Sequence, residues 1–241
     1  PIVASQARKQ VAARARAEHY PAPYAILDIW QKHDGNALAT PEAIDRIVRS
    51  PTARNLVRIF FLQERLKAFG KEADIPLRRL HVVGAGVMGG DIAAWAAQRG
   101  LTVTLQDQSL DRIAPAIARA GKLFGRIKDK LAQRAAYDRL IPDPQGEGAR
   151  HADVVIEAIY ENLEAKHRLL ADLEARMRPD AVLATNTSSL RLEDLATVLK
   201  NPSRLVGIHF FNPVAKMPLV EVVEASGADA AALARAYAFV R

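Results

Sequence analysis

The sequence of 241 residues contains no cysteine. That absence excludes disulfide scaffolds, thiolate metal sites and thiol nucleophiles. The chain also lacks the run of about 20 apolar residues that a membrane helix needs. No charged-then-apolar signal peptide is present, because Arg8, Lys9 and Arg14 break up the N-terminal region. We therefore expect a cytoplasmic protein with no membrane span.

Positive charge is in excess but is not concentrated in one tract. The formal net charge is +7, yet Lys and Arg are scattered among Asp and Glu along helix-like segments. No basic tract interleaved with aromatic residues is present, so we expect no nucleic-acid partner. A mildly basic, solvated surface accounts for this pattern. The alternative is attraction of polyanionic small molecules such as dinucleotides or coenzyme A.

Both ends of the sequence indicate a piece of a longer protein. The chain begins at Pro1 without an initiator Met and stops at Arg241, within the helix-like run ALARAYAFVR. We therefore expect a fragment.

Residues 1–75 are predicted to be all helical. Thr40-Pro41 and Ser50-Pro51 have the form of helix starts, a hydroxyl residue at the N-cap followed by proline at the first helical position. The segment after Ser50 carries apolar residues at helical spacing. This part is expected to be separate from the rest of the chain, residues 76–241.

Residues 76–241 alternate between strand-like and helix-like segments. Apolar strands such as LHVVGAG and VVIEAI are followed by amphipathic helices, including one long helix predicted over roughly 109–136. This alternation predicts an α/β fold with a Rossmann-type, doubly wound sheet. Ligands bind such a sheet at the carboxyl ends of its strands.

A G-x-G-x-x-G motif lies between the first strand and the helix that follows it. Gly84 permits a tight turn, Gly86 lets the backbone approach a pyrophosphate, and Gly89 lets the helix pack against the strand. Asp107 closes the second strand, where a carboxylate accepts the ribose hydroxyls and repels a 2′-phosphate. The glycine motif and Asp107 together therefore favour NAD over NADP. The alternative is an ordinary turn that needs glycine for backbone reasons.

His209 is the candidate for proton transfer, because the run IHFFNP places it near a strand end. Glu221 lies on the next predicted strand, where its carboxylate would orient and charge-stabilise the imidazole. The neutral histidine would then act as a general base. On spacing alone, a hydrogen-bonded structural histidine is the better account of the pair.

Two further polar segments admit two interpretations each. In NTSS, residues 186–189, one interpretation places Ser188 in the ligand crevice, and the other has Ser188 or Ser189 cap the helix predicted around Leu192–Leu199. Both can hold, because different serines can do each job. Asn212-Pro213 is either part of the site or only a turn.

Four segments together resemble the L-3-hydroxyacyl-CoA dehydrogenases, and more closely the dehydrogenase part of bacterial multifunctional β-oxidation proteins. The segments are VVGAGVMGGDIA, VVIEAIYENLEAK, LATNTSSL and GIHFFNPVAKMPLVEVVE, in the order in which the family has them. The resemblance covers about residues 75 to 241. It implies reversible, NAD-dependent oxidation of an L-3-hydroxyacyl-CoA to the 3-ketoacyl-CoA.

The resemblance also implies roles for individual residues. His209 matches the catalytic histidine, Glu221 its paired glutamate, and Ser188 and Asn212 match residues that contact both substrate and cofactor. The implied cofactor-binding positions are Gly84, Gly86, Val87, Met88, Gly89, Asp107, Glu161, Lys166, Ser188 and Asn212. No metal is implied. Ala215-Lys216 departs from the family pattern after NPV, which puts only the edge of the site in doubt.

The family resemblance carries expectations about the parent protein. Residues 1–75 resemble the tail of a hydratase/isomerase domain and a linker helix, and we expect no hydratase activity from them. The helical domain that completes the acyl-CoA cleft in the family is absent from this sequence. The alternative function is therefore an NAD-binding fragment without turnover. The parent is expected to be oligomeric, with a thiolase subunit as a partner.

Overall fold

The computed structural model describes residues 2–68 and 75–241. Contacts between residues divide the chain into two compact units, Pro1–Phe69 and Gly70–Arg241. Each unit is described by itself.

The described part of the first unit is helical. Its α-helices are α1 (Ile2–Ala12), α2 (Pro21–His33), α3 (Pro41–Val48) and α4 (Pro51–Ala68). Both predicted helix starts are confirmed, because α3 and α4 begin at their prolines. Only one has the expected cap: the Ser50 hydroxyl accepts a hydrogen bond from the backbone of Ala53, whereas Thr40 makes no side-chain cap. The all-helical prediction is confirmed for residues 2–68, and Pro1 and residues 69–74 lie outside the described part.

The second unit is built on one seven-stranded sheet in the order β3-β2-β1-β4-β5-β6-β7. The strands are β1 (Arg79–Val83), β2 (Thr102–Gln106), β3 (Leu140–Pro142), β4 (Val154–Glu157), β5 (Val182–Thr185), β6 (Leu205–Phe210) and β7 (Val220–Glu224). Neighbours from β3 to β6 pair in parallel, and β7 pairs antiparallel with β6. The predicted doubly wound, Rossmann-type sheet is therefore confirmed.

Helices connect the strands of this sheet. They are α5 (Val87–Gln98), α6 (Leu110–Phe124), α7 (Lys130–Arg139), α8 (Leu163–Arg176) and α9 (Leu192–Ala196), and α10 (Ala230–Val240) follows the last strand. All four residues of β4 and all four of β5 are buried, as expected for parallel strands covered on both faces. The strand order reverses between β1 and β4, which is where this architecture opens a crevice for a ligand.

The single helix predicted over 109–136 is wrong, because the structure has two helices there. Gly125 ends α6, and Asp129 begins α7 by accepting hydrogen bonds from the backbone N–H groups of Leu131 and Ala132. An Asp-capped helix start is a recognisable sequence signal. The alanine-rich periodicity on both sides concealed it.

No helix within residues 2–68 or 75–241 combines the length and apolar character needed to cross a membrane.

A fully buried histidine lies in the middle of β1. One ring nitrogen of His81 lies 2.8 Å from the Thr104 hydroxyl and the other 2.9 Å from the Gln106 side-chain oxygen. Burial lowers the pKa of His81 from its ordinary value of 6.5, against the opposing effects of the Gln106 hydrogen bond and the Asp143 carboxylate. The positive charge of Arg176 lowers it further. The imidazole is therefore held neutral in the folded protein.

This histidine predicts a loss of stability on acidification. Below pH 6.5 the unfolded chain binds a proton that the folded chain does not, so the free energy of unfolding falls until the pH reaches the lower, folded-state pKa. The slope is at most about 1.4 kcal/mol per pH unit. Urea unfolding between about pH 7.5 and about pH 5.5 measures it. His81→Gln should be less stable at neutral pH but should flatten this dependence. Parallel curves for the two proteins would contradict the assignment.

Candidate functional site

The turn between β1 and α5 is shaped by close backbone contacts. Gly84 has φ +104°, and a Cβ there would lie 2.6 Å from the carbonyl oxygen of Ala158. A Cβ on Gly89 would lie 1.9 Å from the carbonyl oxygen of Gly84. A Cβ on Gly86 would meet nothing within 4 Å. Two of the glycines are therefore required for packing, and Gly86 faces open space.

Asp107 braces the same turn from the end of β2. One carboxylate oxygen accepts a hydrogen bond from the backbone N–H of Ala85 at 2.7 Å, and the other accepts from Gln108 at 2.8 Å. Each oxygen has a second lone pair, which leaves acceptor capacity for a ligand hydroxyl. Asp107 thus has a structural contact that sequence reasoning did not predict, next to its predicted role.

A cleft of about 540 Å³ lies over this turn and includes Gly84, Gly86 and Asp107 in its lining. The N-terminus of α5, a helix of 12 residues, begins beside it at Val87. Unpaired N–H groups and the helix dipole at such a position favour an anion. An open glycine, a helix N-terminus and a carboxylate beside the turn fit the pyrophosphate and ribose of a dinucleotide.

A second cavity of about 360 Å³ continues along the carboxyl ends of the strands. Its lining residues are Met88, Ala158, Ile159, Tyr160, Glu161, Asn186, Ser188, His209, Phe210, Phe211 and Asn212. It shares Ala158, Ile159 and Tyr160 with the first cleft. The two cavities therefore lie on either side of the β4–α8 loop, along one edge of the sheet.

His209 and Glu221 meet across the antiparallel pair β6–β7. They are direct partners in the strand register, and Nδ1 of His209 lies 2.9 Å from a carboxylate oxygen of Glu221. When Nδ1–H donates to the carboxylate, the other ring nitrogen carries a lone pair. The ring also packs edge-on against Phe211, with centroids 4.7 Å apart. The arrangement provides an oriented proton acceptor at the crevice.

The NTSS turn and Asn212 lie around this histidine. Ser188 and Asn212 are both exposed and line the same cavity. The capping interpretation of NTSS is wrong: α9 begins at Leu192 with Arg191 at its N-cap. The Thr187 hydroxyl instead donates to Glu161, at 3.0 and 2.9 Å from its two carboxylate oxygens, and the Ser188 backbone N–H donates to it at 3.0 Å.

The remaining predicted positions are divided between surface and interior. Val87 is about half exposed at the start of α5, and Met88 lines the second cavity. Lys166 is only 1% exposed and lies beneath the crevice, where Nζ donates to Glu157 at 2.6 Å. Its ammonium also lies 3.7 Å from Glu161.

Sequence reasoning missed two residues that organise this edge. Asn186 accepts a hydrogen bond from the backbone N–H of Phe210 at 2.9 Å, which ties the end of β5 to the residue after His209. Glu157 is a fully buried carboxylate at the end of β4. Its signal was present in the sequence, since a lone acidic residue in the apolar strand VVIEAI requires a buried partner.

Comparison with known proteins assigns the second unit to a family. Residues 79–241 match the family described as "3-hydroxyacyl-CoA dehydrogenase, NAD binding domain". The chain belongs to this family. NAD is accordingly the cofactor of this dehydrogenase domain, and the open glycine turn with its helix N-terminus fits that ligand.

Relatives of this dehydrogenase domain include longer proteins. The chain is 32% identical to the fatty acid oxidation complex subunit alpha of Psychrobacter sp. (strain PRwf-1), over 98% of this chain and 35% of that protein. The corresponding subunit of Acinetobacter baylyi is 34% identical, over 90% of this chain and 32% of that protein. The chain therefore spans about a third of the length of these relatives.

Solved structures of the family share the fold. The 3-hydroxybutyryl-CoA dehydrogenase of Escherichia coli K12 is 34% identical with a TM-score of 0.66, over 69% of this chain and 36% of that one. The (S)-3-hydroxybutyryl-CoA dehydrogenase of Ralstonia eutropha is 29% identical with a TM-score of 0.66, over 68% of this chain and 60% of that one.

The glycine turn of this dehydrogenase domain predicts opposite behaviour for two alanine variants. Gly86→Ala should leave the unfolding midpoint unchanged but raise the dissociation constant of NADH about tenfold, because the new methyl group occupies the path of the phosphates. Gly89→Ala should instead lower the free energy of unfolding by about 1–3 kcal/mol, because its methyl group overlaps a backbone carbonyl. Thermal unfolding and NADH fluorescence titration separate the two effects. Wild-type NADH affinity in Gly86→Ala would remove this turn from the cofactor site.

Proposed function

We propose that this chain carries the centre for NAD-dependent oxidation of an L-3-hydroxyacyl-CoA to the 3-ketoacyl-CoA. The observation that supports the proposal is the 2.9 Å contact between His209 and Glu221. His209 lines the cavity that also contains Ser188, Asn212 and Met88. An imidazole oriented by a carboxylate suits removal of a hydroxyl proton.

The proposed chemistry divides the hydrogen atoms of the alcohol between protein and cofactor. The lone pair on Nε2 of His209 takes the proton of the 3-hydroxyl group. The turn at Gly84–Gly89 and Asp107 would hold NAD, which would supply the acceptor for the C3 hydride; the C–H bond breaks as the carbon–oxygen double bond forms. The Glu221 carboxylate stabilises the imidazolium that results. Ser188 and Asn212 hydrogen-bond the substrate oxygen and fix its position.

The cofactor site that we propose runs across both cavities. Gly84, Gly86 and Gly89 shape the turn for the pyrophosphate, and Val87 contributes its backbone N–H at the start of α5. The Asp107 carboxylate accepts the ribose hydroxyls. Further contacts come from Met88, Glu161, Lys166, Ser188 and Asn212. Because Lys166 is almost fully buried, we propose that it acts through Glu161.

We further propose that the chain is part of a multifunctional β-oxidation protein. The supporting observation is that the Psychrobacter relative aligns with 98% of this chain, which includes most of residues 1–75. Those residues would be the tail of a hydratase/isomerase domain and a linker helix, and residues 76–241 the NAD-binding domain. The relative's name, subunit alpha of a complex, supports an oligomeric parent. A thiolase partner and a cytoplasmic location remain predictions.

A second candidate is an NAD-binding unit without turnover. It is favoured by the exposure of the site, since the Glu221 side chain is 51% exposed and Ser188 and Asn212 are also open to solvent. Both candidates predict NADH binding by the 241-residue chain. Only the first predicts NADH formation from NAD and 3-hydroxybutyryl-CoA. Binding without turnover by this chain would favour the second.

Removal of the imidazole should separate chemistry from cofactor binding. His209→Gln is expected to lower kcat by about 10²–10⁴-fold, the typical contribution of a general base. Its NADH dissociation constant should stay within about twofold of wild type, because the pyrophosphate and ribose contacts are intact. NADH formation and NADH fluorescence are measured on the same samples. A variant that keeps most of its rate would eliminate His209 as the base.

The charge of Asp107 should determine the choice between NAD and NADP. Asp107→Ala is expected to weaken NAD binding and to reduce the preference for NAD over NADP by about tenfold. Asp107→Asn is the matched control for folding, because its amide oxygen can still accept from Ala85 while the negative charge is gone. Both variants should lose discrimination, and the alanine variant should lose more stability, because asparagine keeps the Ala85 contact and loses only the one to Gln108. If the preference stays the same in both, Asp107 does not contact the ribose.

A further inference from the structure

An ion pair is buried directly beneath the second cavity. Glu157, the last residue of β4, is 0% exposed, and Lys166 on α8 is 1% exposed. Nζ of Lys166 lies 2.6 Å from one Glu157 carboxylate oxygen. Taking two charges out of water is costly, and burial of such a pair is weak evidence for stability. The position of this ion pair under the crevice is better explained if the pair holds the residues that line the crevice in place.

Glu157 contacts three different parts of the chain. The oxygen that meets Lys166 also accepts from the backbone N–H of Ile159 at 2.7 Å. The other oxygen accepts from the Thr185 hydroxyl at 2.7 Å. These partners belong to the β4–α8 loop, to α8 and to the end of β5. One side chain therefore fixes the segments from which this side of the cavity is built.

A second carboxylate connects Lys166 to the surface of the site. Glu161 lies 3.7 Å from the Lys166 ammonium and is itself in the cavity lining. It accepts the hydrogen bonds of the Thr187 hydroxyl and of the Ser188 backbone N–H. The position of the Ser188 turn therefore depends on where the Glu161 carboxylate is held.

We propose that Glu157 is a positioning residue for Ser188. By holding the Lys166 ammonium against its own carboxylate, it leaves Glu161 available to hold the Ser188 turn at the crevice. Without the Glu157 charge, Glu161 becomes the strongest attraction for Lys166 and moves toward it, away from the Ser188 N–H. The importance of Ser188 for the reaction rests on the proposed function, in which the Ser188 hydroxyl positions the substrate oxygen.

Glu157→Gln tests the inference, because it removes the charge and keeps the shape. Amide hydrogen exchange is followed by NMR in the 241-residue chain under native conditions. Exchange at Ser188 should quicken about tenfold, equivalent to the loss of one charge-assisted hydrogen bond. Val82 in the centre of the sheet reports global opening and should not follow Ser188. Unchanged exchange at Ser188 with a lowered unfolding midpoint would make Glu157 merely structural and overturn the proposal.

Two further variants isolate the cause. In the double variant Glu157→Gln, Lys166→Gln no ammonium remains to attract Glu161, so exchange at Ser188 should return to the wild-type rate. Exchange that stays fast in the double variant would contradict the mechanism. Glu174→Gln is the matched control, because Glu174 lies on α8, as Lys166 does, and accepts from two backbone N–H groups, those of Lys200 and Asn201. It should leave Ser188 unaffected.

A milder change covers the case in which Glu157→Gln does not fold. Thr185→Val alters no charge and removes the hydroxyl that donates to Glu157 at 2.7 Å and accepts from the Thr187 backbone N–H at 3.3 Å. Exchange at Ser188 should quicken about twofold to threefold, and unchanged exchange at Ser188 would also overturn the proposal. In the double variant Thr185→Val, Lys166→Gln this quickening should disappear; quickening that persists would trace it to the lost Thr187 contact and contradict the mechanism. Amide exchange is measured without substrate, so this test of Glu157 does not depend on whether the wild-type chain turns over. If turnover is present, Glu157→Gln should lower kcat more than it raises the NADH dissociation constant.

Discussion

The close approach of α5 to the ends of β1 and β4 is the constraint on which the rest of the site depends. At Gly84 and Gly89 the space of a side chain is taken by backbone carbonyl oxygens. This contact brings the N-terminus of α5 to the carboxyl edge of the sheet. It also places the β4–α8 loop between the cleft that contains Asp107 and the cavity that contains His209. The crevice follows from that packing.

A layer of buried or half-buried polar groups under the crevice holds the segments that line it. Glu157 joins β4, β5 and α8, while Asn186 joins the end of β5 to the end of β6. Such groups are tolerated in the interior because each has its hydrogen-bond partners. Their hydrogen bonds restrict the movement of the loops that carry Ser188 and Asn212, and a site built on loops otherwise lacks this restriction.

Several features could be predicted from the sequence because their physical causes are local. Apolar runs followed by glycine specify buried strands and tight turns, so the sheet and the turn at Gly84–Gly89 were predicted correctly. Other features depend on competition between local signals. The division of the predicted 109–136 helix came from an Asp cap at Asp129, and the NTSS turn was satisfied by Glu161 instead of starting a helix.

The sequence by itself determined the fold class, the glycine turn and the family resemblance, because strand periodicity and glycine conformation act over a few residues. Only the tertiary structure decided which side chains meet. The antiparallel register of β6 and β7 brought His209 to Glu221, and the packing of α8 buried Lys166 against Glu157. Contacts between residues distant in the chain depend on strand register and helix packing, and local sequence patterns do not encode either one.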